Sequence, residues 1–263
     1  MSRACEQFER LINIINRLRG EDGCPWDKEQ THKSLIPYLL EETYEVIEAI
    51  EDNDINALRE ELGDLSLHIL FQAHIARENG QFEIADSLQH ICDKLERRHP
   101  HVFSNLDVNG VQDIHRNWET IKHQENKRKK FLDGVPKSLP ALNRARRLQE
   151  KAANVGFDWP DIVPVWDKLH EELDELKEAR SQGDQDAMEE ELGDLLFSIV
   201  NLGRWLNISS EEALRRTMSK FEMRFAEIET GLKSQGKSLE DATLEEMDIL
   251  WEAQKKKSPV EKT

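Results

Sequence analysis

The stretch that decides the fold is the acidic sequence Glu171-Glu172-Leu173-Asp174-Glu175, followed by Glu190-Glu191-Leu192-Gly193-Asp194-Leu195. Both parts occur a second time, 130 residues earlier, as EETYE at residues 41–45 and EELGDL at residues 60–65. The interval between the two parts is the same in both copies. An internal repeat on this scale predicts two related domains.

The residues around the acidic stretches have helical periodicity. Helix-forming residues dominate, 34% of the chain is charged and only 6% is aromatic, which favours α-helices. Apolar residues recur every three or four positions, at Leu169, Leu173 and Leu176, and then at Leu192, Leu195, Leu196, Ile199, Val200 and Leu202. Ser209 with Glu212, and Thr243 with Glu246, have the spacing of capping boxes. We predict an all-α fold of two tandem, related helical bundles.

The segment between the two copies has the composition of a linker. It contains the basic run Lys127-Arg128-Lys129-Lys130, followed by the helix breakers Gly134, Pro136 and Pro140. The basic run could instead contact a polyanion, although charge runs are usually solvated. We therefore expect an N-terminal domain over residues 1–125, a basic, proline-containing linker over 126–140 and a C-terminal domain over 141–263.

Charge and cysteine content exclude several classes of protein. The formal net charge of −17 disfavours nucleic acid and anionic membranes as partners, so a small polyanion would need a cation or a local basic cluster to bind. The three cysteines, Cys5, Cys24 and Cys92, have no metal-type spacing and suit a reducing compartment. Because no apolar run reaches the length of a signal peptide or a membrane span, we expect a soluble, cytoplasmic protein.

The acidic stretches place carboxylates on one helical face. Residues three apart lie on nearly the same face, so Glu172 and Glu175 project together from one helix. Glu191 and Asp194 do the same from the next helix, and the four can converge where the helices pack. Such like charges destabilise helices unless a cation neutralises them, and oxygen ligands suit Mg²⁺ or Mn²⁺.

Two other interpretations of the carboxylates were weighed. A single acidic motif is usually a solvated surface, but this pattern occurs twice with the same interval. A ferritin-like di-iron bundle would need a Glu-x-x-His on each of two helices. Glu29 with His32 and Glu96 with His99 have that spacing, but His170 is the second copy's only histidine. The second copy therefore cannot build a di-iron site of that kind.

Cationic side chains accompany the carboxylates in the second copy. Lys168 precedes Glu172 by one helical turn, and Lys220 and Arg224 share a face four residues apart. These residues could hold phosphate, or each could form an ordinary surface salt bridge. In the first copy Tyr38 stands in the place of Lys168, so the first copy would be the weaker phosphate site.

A tryptophan recurs late in each copy, as Trp118 and Trp251. An indole ring can stack on a nucleobase, but on an amphipathic helix core packing is the commoner role. Both interpretations of Trp251 stay open at this point.

Further segments give the chain a family resemblance. GCPWDKEQT at residues 23–31, KLERRHPHVF at 94–103 and NVGFDW at 154–159, together with the two acidic motifs in this order, resemble the MazG family. The likeness covers nearly the whole chain. These are two-domain members of the all-α nucleoside triphosphate pyrophosphohydrolases.

The resemblance implies an activity and a setting for it. We expect hydrolysis of nucleoside triphosphates to the monophosphate and pyrophosphate, with broad tolerance of base and sugar. We also expect dependence on Mg²⁺, with Mn²⁺ as a substitute, and a homodimer, since a short bundle buries little surface alone. The implied role is nucleotide-pool sanitation or a stress response.

By position, the resemblance also assigns residues. The Mg²⁺ ligands are Glu172, Glu175, Glu191 and Asp194, and these form the catalytic group together with Glu171. The nucleotide contacts are Lys168, Glu171, Glu172, Lys220, Arg224 and Trp251. The N-terminal counterparts of the metal ligands are Glu42, Glu45, Glu61 and Asp64. Glu171 and Glu175 are the candidates for orienting the attacking water. The competing hypothesis is an acidic interaction module without turnover.

Overall fold

The computed structural model describes residues 2–104 and 130–257, with side chains as far as residue 255. Trp118 and residues 127–129 of the basic run lie outside this description. The chain divides into two compact units, residues 1–125 and 126–263. The boundary falls among residues that are not described, so the limits of the linker stay a prediction.

Every regular element in the described residues is a helix, and no strand occurs among them. The helices of the first unit are α1 (Arg3–Leu18), α2 (Pro25–Glu29), α3 (Ile36–Glu51), α4 (Ile55–Glu78), α5 (Ile84–Arg98) and α6 (Pro100–Phe103). Those of the second are α7 (Ala141–Ala153), α8 (Val163–Gln182), α9 (Gln185–Trp205), α10 (Ser210–Ser234) and α11 (Leu244–Lys257). Within these ranges, none is both long and apolar enough to cross a membrane. The all-α prediction is confirmed.

The acidic motifs lie on two helical hairpins, α3–α4 and α8–α9, and the helices of each hairpin pack against each other. Asn53 and Gly183 occupy the same place in the two turns, with φ of 55° and 72°. This left-handed conformation suits glycine or asparagine. Asp54 and Asp184 then cap the next helix, since each carboxylate accepts a backbone N–H three residues on, at 3.0 and 3.1 Å. The repeat therefore extends to the turn and the cap.

A hydrophobic cluster holds the first hairpin against α1. Its buried members are Ile15, Leu35, Leu70, Phe71 and Ile75. Because α1 and α3 both pack on α4, this cluster fixes the position of α4, which carries Glu61 and Asp64.

The second hairpin packs against two further helices, and a third packs on one of these. α9 contacts α7 and α10, and α10 contacts α11. The buried apolar side chains are Val165, Ala179, Val200, Ile228 and Leu232.

One predicted capping box, at Thr243 and Glu246, forms in full in the second unit, whereas the described contacts of Ser209 and Glu212 make up one half of theirs. Ser209 Oγ accepts the backbone N–H of Glu212 at 3.4 Å. Thr243 Oγ1 accepts the N–H of Glu246 at 3.3 Å, and Glu246 Oε2 accepts that of Thr243 at 3.1 Å. These contacts satisfy free N–H groups at the first turns of α10 and α11.

Candidate functional site

The second hairpin brings three carboxylates together. Glu172 and Glu175 on α8 and Glu191 on α9 each offer an oxygen, and these oxygens all lie within 4.8 Å of one another. Glu172 is buried, with 4% of its surface exposed, whereas Glu175 faces solvent. Asp194, the fourth predicted ligand, is not one of the three, but it lies close enough to influence the pKa of Glu191.

Lys168 closes one side of this cluster. Its Nζ lies 2.7 Å from Glu171 Oε1 and 2.8 Å from Glu172 Oε1. The hydrogen bonds to Glu171 and then to Glu172 raise the pKa of Lys168, so the ammonium stays charged. The i,i+3 and i,i+4 spacing on α8 produces this arrangement directly.

The remaining carboxylates repel one another. Desolvation beside the buried Glu172, followed by the charges of Glu172 and Glu171, raises the pKa of Glu175, although its own side chain is exposed. Burial, followed by Glu175, Glu172 and Asp194, raises the pKa of Glu191. A raised carboxyl pKa shows that the charged forms lack sufficient compensation. A divalent cation bound between the carboxylates would compensate their charges.

The donor set fits a hard ion. Carboxylate oxygens form the whole of this cluster within the described ranges, and no nitrogen or sulfur ligand joins it. Mg²⁺ and Mn²⁺ prefer such oxygens and leave positions for substrate phosphates. The residues therefore fit the ion that the sequence predicts.

The other predicted substrate contacts lie on α10 and α11. Arg224 Cζ lies 5.7 Å from the centroid of the Trp251 ring, and the Phe221 ring lies 5.4 Å from it. Lys220 is exposed, and the described residues include no hydrogen bond or ion pair to it. Across residues 2–104 and 130–255, no hydrogen bond or ion pair joins Lys220, Arg224 or Trp251 to the carboxylates. Trp251 is half-buried, so it packs within its helix pair and still presents part of its ring.

The first hairpin holds a matching cluster. Oxygens of Glu42, Glu45 and Glu61 also lie within 4.8 Å of one another. Burial raises the pKa of Glu42 to about 7, and the nearby charges of Asp64 and Glu45 add to the effect. The pKa of Glu61 is raised for the same reasons. The carboxylate geometry is thus common to both units.

The surroundings of the two clusters differ. Tyr38, in the place of Lys168, stacks on the ring of His68, with 6.4 Å between centroids and 9° between planes. His68 is 9% exposed, and its Nε2 lies 3.8 Å from Glu42 Oε1. His68 is not among the predicted site residues. Its spacing in the sequence could have indicated it. His68 lies on α4 four residues after Asp64 and seven after Glu61, which places all three side chains on one face of the helix.

Fold and site together define an all-α protein with a duplicated carboxylate site on paired helices. The description of the matching family model, MazG nucleotide pyrophosphohydrolase domain, fits this class, and the model matches twice, over residues 30–103 and 165–228. The chain belongs to the MazG family, as its sequence motifs predict. Each match includes one of the two acidic hairpins.

Relatives resemble the chain over almost all of its length. The nucleoside triphosphate pyrophosphohydrolase of Escherichia coli K12 is 46% identical over 95% of this chain and 97% of its own. The nucleoside triphosphate pyrophosphohydrolase/pyrophosphatase MazG of Thermotoga maritima is 48% identical over 94% and 95%. The uncharacterized protein YabN of Bacillus subtilis is 45% identical over 93% of this chain and 51% of its own length.

Proposed function

We propose that this chain is a nucleoside triphosphate pyrophosphohydrolase whose second unit converts NTPs and dNTPs to monophosphates and pyrophosphate. The relatives from E. coli and T. maritima carry this name. The observation that carries the proposal for the second unit is the contact of Lys168 with the buried Glu172, at the edge of a carboxylate cluster. A site with both a cation-binding face and a fixed ammonium suits a polyphosphate.

Mg²⁺ is the proposed cofactor, with Mn²⁺ as a substitute. Glu172, Glu175, Glu191 and Asp194 would hold it. When bound, Mg²⁺ neutralises phosphate charge and favours attack at phosphorus. The mutual repulsion that raises the pKa of Glu175 and Glu191 supports a divalent ion at this position.

The cationic side chains would bind the triphosphate. Lys168, Lys220 and Arg224 donate hydrogen bonds to phosphate oxygens, and Glu171 holds Lys168 in position. Trp251 stacks on the nucleobase. Because every base presents a π-face, stacking of this kind supports broad base specificity.

The reaction would be an in-line displacement by water. The water oxygen forms a bond to the α-phosphorus, the bond from the α-phosphorus to the bridging oxygen breaks, and pyrophosphate leaves. Of the two candidates that could take the proton, Glu171 is held by Lys168, whereas the pKa of Glu175 is raised. Both residues stay candidates for the general base, since Glu175 is also a proposed Mg²⁺ ligand.

We further propose a cytoplasmic homodimer that acts in nucleotide-pool sanitation or a stress response. The second unit exposes large apolar side chains on the hairpin and on α10, among them Leu192, Leu196, Phe197, Leu214, Met218 and Phe225. Exposed apolar side chains on two helices that contact each other suit a protein interface, and a second copy is the partner we expect. A monomer in sedimentation velocity at micromolar concentration would contradict the dimer.

The test of the activity is incubation with each common NTP and dNTP plus Mg²⁺ or Mn²⁺, with chromatographic separation of products. We expect monophosphate and pyrophosphate in equal amounts, abolished by Glu175→Gln and by chelation. Turnover of no nucleotide, with a folded protein, would leave the acidic interaction module as the better description.

A further inference from the structure

The first unit contains a half-open cavity between the end of α1, the second half of α4 and the start of α5. Its volume is about 150 Å³. Five of its lining side chains are aliphatic, namely Ile12, Ile15, Leu70, Ala73 and Ile84. Its polar lining residues are Asn16, His74, Arg77 and Glu83, of which Arg77 and Glu83 are exposed. Because a cavity of this volume in another protein binds benzene, a small hydrocarbon group fits here.

Arg77 brings a positive charge to this cavity that no acidic side chain compensates. Its Nη2 donates to Asn16 Oδ1 at 2.8 Å and to His74 Nδ1 at 3.2 Å. Among the described residues, no carboxylate forms an ion pair with Arg77, and the neighbouring acid, Glu78, is occupied by Arg19 at 2.6 Å and by His74 at 3.1 Å. Both hydrogen bonds of Arg77 come from one nitrogen, so its Nε and Nη1 keep their N–H groups for a ligand.

The hydrogen bonds of His74 hold this guanidinium in one orientation. The Nε2 of His74 faces Glu78 and its Nδ1 faces Arg77, so the ring carries its proton on Nε2 and accepts at Nδ1. Burial, followed by the charge of Arg77, lowers the pKa of His74 and favours the neutral ring. A guanidinium that is already fixed loses little conformational entropy when it binds, which favours a planar carboxylate on its free edge.

Glu83 brings the opposite charge to the same cavity. It lies directly before α5, and the described residues include no ion pair to its carboxylate. The cavity therefore combines an aliphatic wall with one cationic and one anionic side chain at its exposed edge. A ligand that matches all three has a carboxylate, an ammonium group and a small hydrocarbon group.

We propose that this cavity binds a free α-amino acid with a branched aliphatic side chain, such as leucine, isoleucine or valine. The carboxylate of the ligand accepts hydrogen bonds from Arg77, and its ammonium group donates to Glu83. Its side chain packs against the aliphatic wall, where the removal of hydrocarbon from water favours binding.

The second unit differs at the positions that form this site. The repeat places Arg204 where the first unit has His74, and Asn207 where the first unit has Arg77. Arg204 donates to the carboxylate of Asp158 at 2.8 and 2.6 Å, so its charge is already compensated. An arginine with a free edge at this place therefore distinguishes the first unit from the second.

The test is calorimetric titration of the full chain with leucine, for which we expect one saturable site per chain. Arg77→Gln keeps a polar side chain but removes the charge, and it should weaken leucine binding at least about tenfold. Glu83→Gln should weaken it at least about threefold. The matched control is Arg59→Gln, a change at an exposed arginine of the same helix, which should alter the affinity less than about twofold.

Two analogues of leucine separate the contributions of its charged groups. The acid 4-methylpentanoate lacks the ammonium group, and 3-methylbutylamine lacks the carboxylate, while both keep the branched hydrocarbon. Each should bind more weakly than leucine, at least about threefold for the acid and at least about tenfold for the amine. Binding of the acid as tight as that of leucine would overturn the assignment to an amino acid.

Saturation-transfer NMR locates the hydrocarbon of the ligand. The methyl protons of leucine should receive more saturation from the protein than its α-proton, and Arg77→Gln should remove the transfer. Melting curves establish that each variant is folded. No binding of leucine to the folded parent at millimolar concentration, or unchanged affinity in Arg77→Gln, would overturn the proposal. Because these measurements use no nucleotide, their outcome is independent of the pyrophosphohydrolase activity.

Discussion

The two hairpins share their carboxylates, their turn and their helix cap, and they differ in the residues beside the carboxylates. In the second hairpin, Lys168 contacts Glu172 at 2.8 Å. In the first, Tyr38 stacks on His68, whose Nε2 lies 3.8 Å from Glu42 Oε1, and burial with the charges of Asp64 and Glu45 raises the pKa of Glu42 to about 7. The two hairpins thus share one carboxylate scaffold but differ in the charge of the residues that stand beside it.

The largest expected difference between the two hairpins is in the rate of pyrophosphate release when the corresponding glutamates, Glu172 and Glu42, are substituted. Glu172→Gln should lower the rate of pyrophosphate release at least about 100-fold, because it removes a metal ligand and the partner of Lys168. Glu42→Gln, the same change in the first hairpin, should leave the rate within about twofold. Steady-state rates at saturating nucleotide measure both. Equal losses in the two variants would show that both hairpins take part in turnover.

Exchange of the flanking residue tests the role of the ammonium. Lys168→Tyr gives the second hairpin the residue of the first, and we expect kcat/KM to fall about 10 to 100-fold as a charged phosphate contact is lost. The control is Lys177→Ala on the same helix, whose partner is the exposed Asp174 at 2.8 Å. It should change kcat/KM less than twofold. A similar loss in both variants would reduce Lys168 to a residue that stabilises α8.

A smaller effect, on KM, is expected from substitution of the aromatic residue Trp251. Trp251→Phe should keep most of the affinity, whereas Trp251→Ala should raise KM about fivefold or more for purine and pyrimidine substrates alike, because stacking contributes about 1 kcal/mol or more per base. The corresponding change at Trp118 should leave KM unaltered. A Trp251→Ala protein with unchanged KM but a lower melting temperature would assign the ring to packing alone.

The smallest effect concerns the stability of the first unit. Because the pKa of Glu42 is raised to about 7 from an ordinary 4.5, its contribution to stability is present at low pH and is lost as the pH rises through 7. With chelator present, Glu42→Gln should therefore raise the melting temperature at pH 8 by roughly 2 to 4 °C, the shift expected for about 1 kcal/mol, and much less at pH 5.

Calorimetry at the two pH values checks this prediction. Glu171→Gln, a change at an exposed carboxylate of the second hairpin, is the control, and it should not reproduce the dependence on pH. An equal gain at pH 5 and pH 8 would mean that the charge of Glu42 is not the cause.

Local features of the site were predictable from the sequence, because helix periodicity determines which side chains share a face. The contact of Lys168 with Glu172 follows from i,i+4 spacing, and the turns follow from Asn53-Asp54 and Gly183-Asp184. Features that depend on packing between helices were not. The burial of His68 and its approach to Glu42 depend on how α3 lies on α4, and the sequence contains no direct measure of that distance.

The same reasoning applies to Lys220, Arg224 and Trp251. Their pattern on α10 and α11 predicts a basic and aromatic group, and Arg224 and Trp251 do contact each other. Their distance from the carboxylates is a matter of tertiary or subunit arrangement, which periodicity cannot supply. Their role in binding nucleotide therefore stays a prediction, and the kinetics of the Trp251 variants test part of it.

The short turns that join the paired helices have a consequence for folding kinetics. Each carboxylate cluster is assembled from helices adjacent in the chain, separated only by residues 52–54 or by Gly183 and Asp184. Contacts between neighbours in sequence have a small loop-closure entropy and form rapidly. Each cluster can thus form as soon as its own hairpin has been synthesised, and a nascent chain that ends at Glu78, less than a third of the 263 residues, already contains one complete set of acidic ligands.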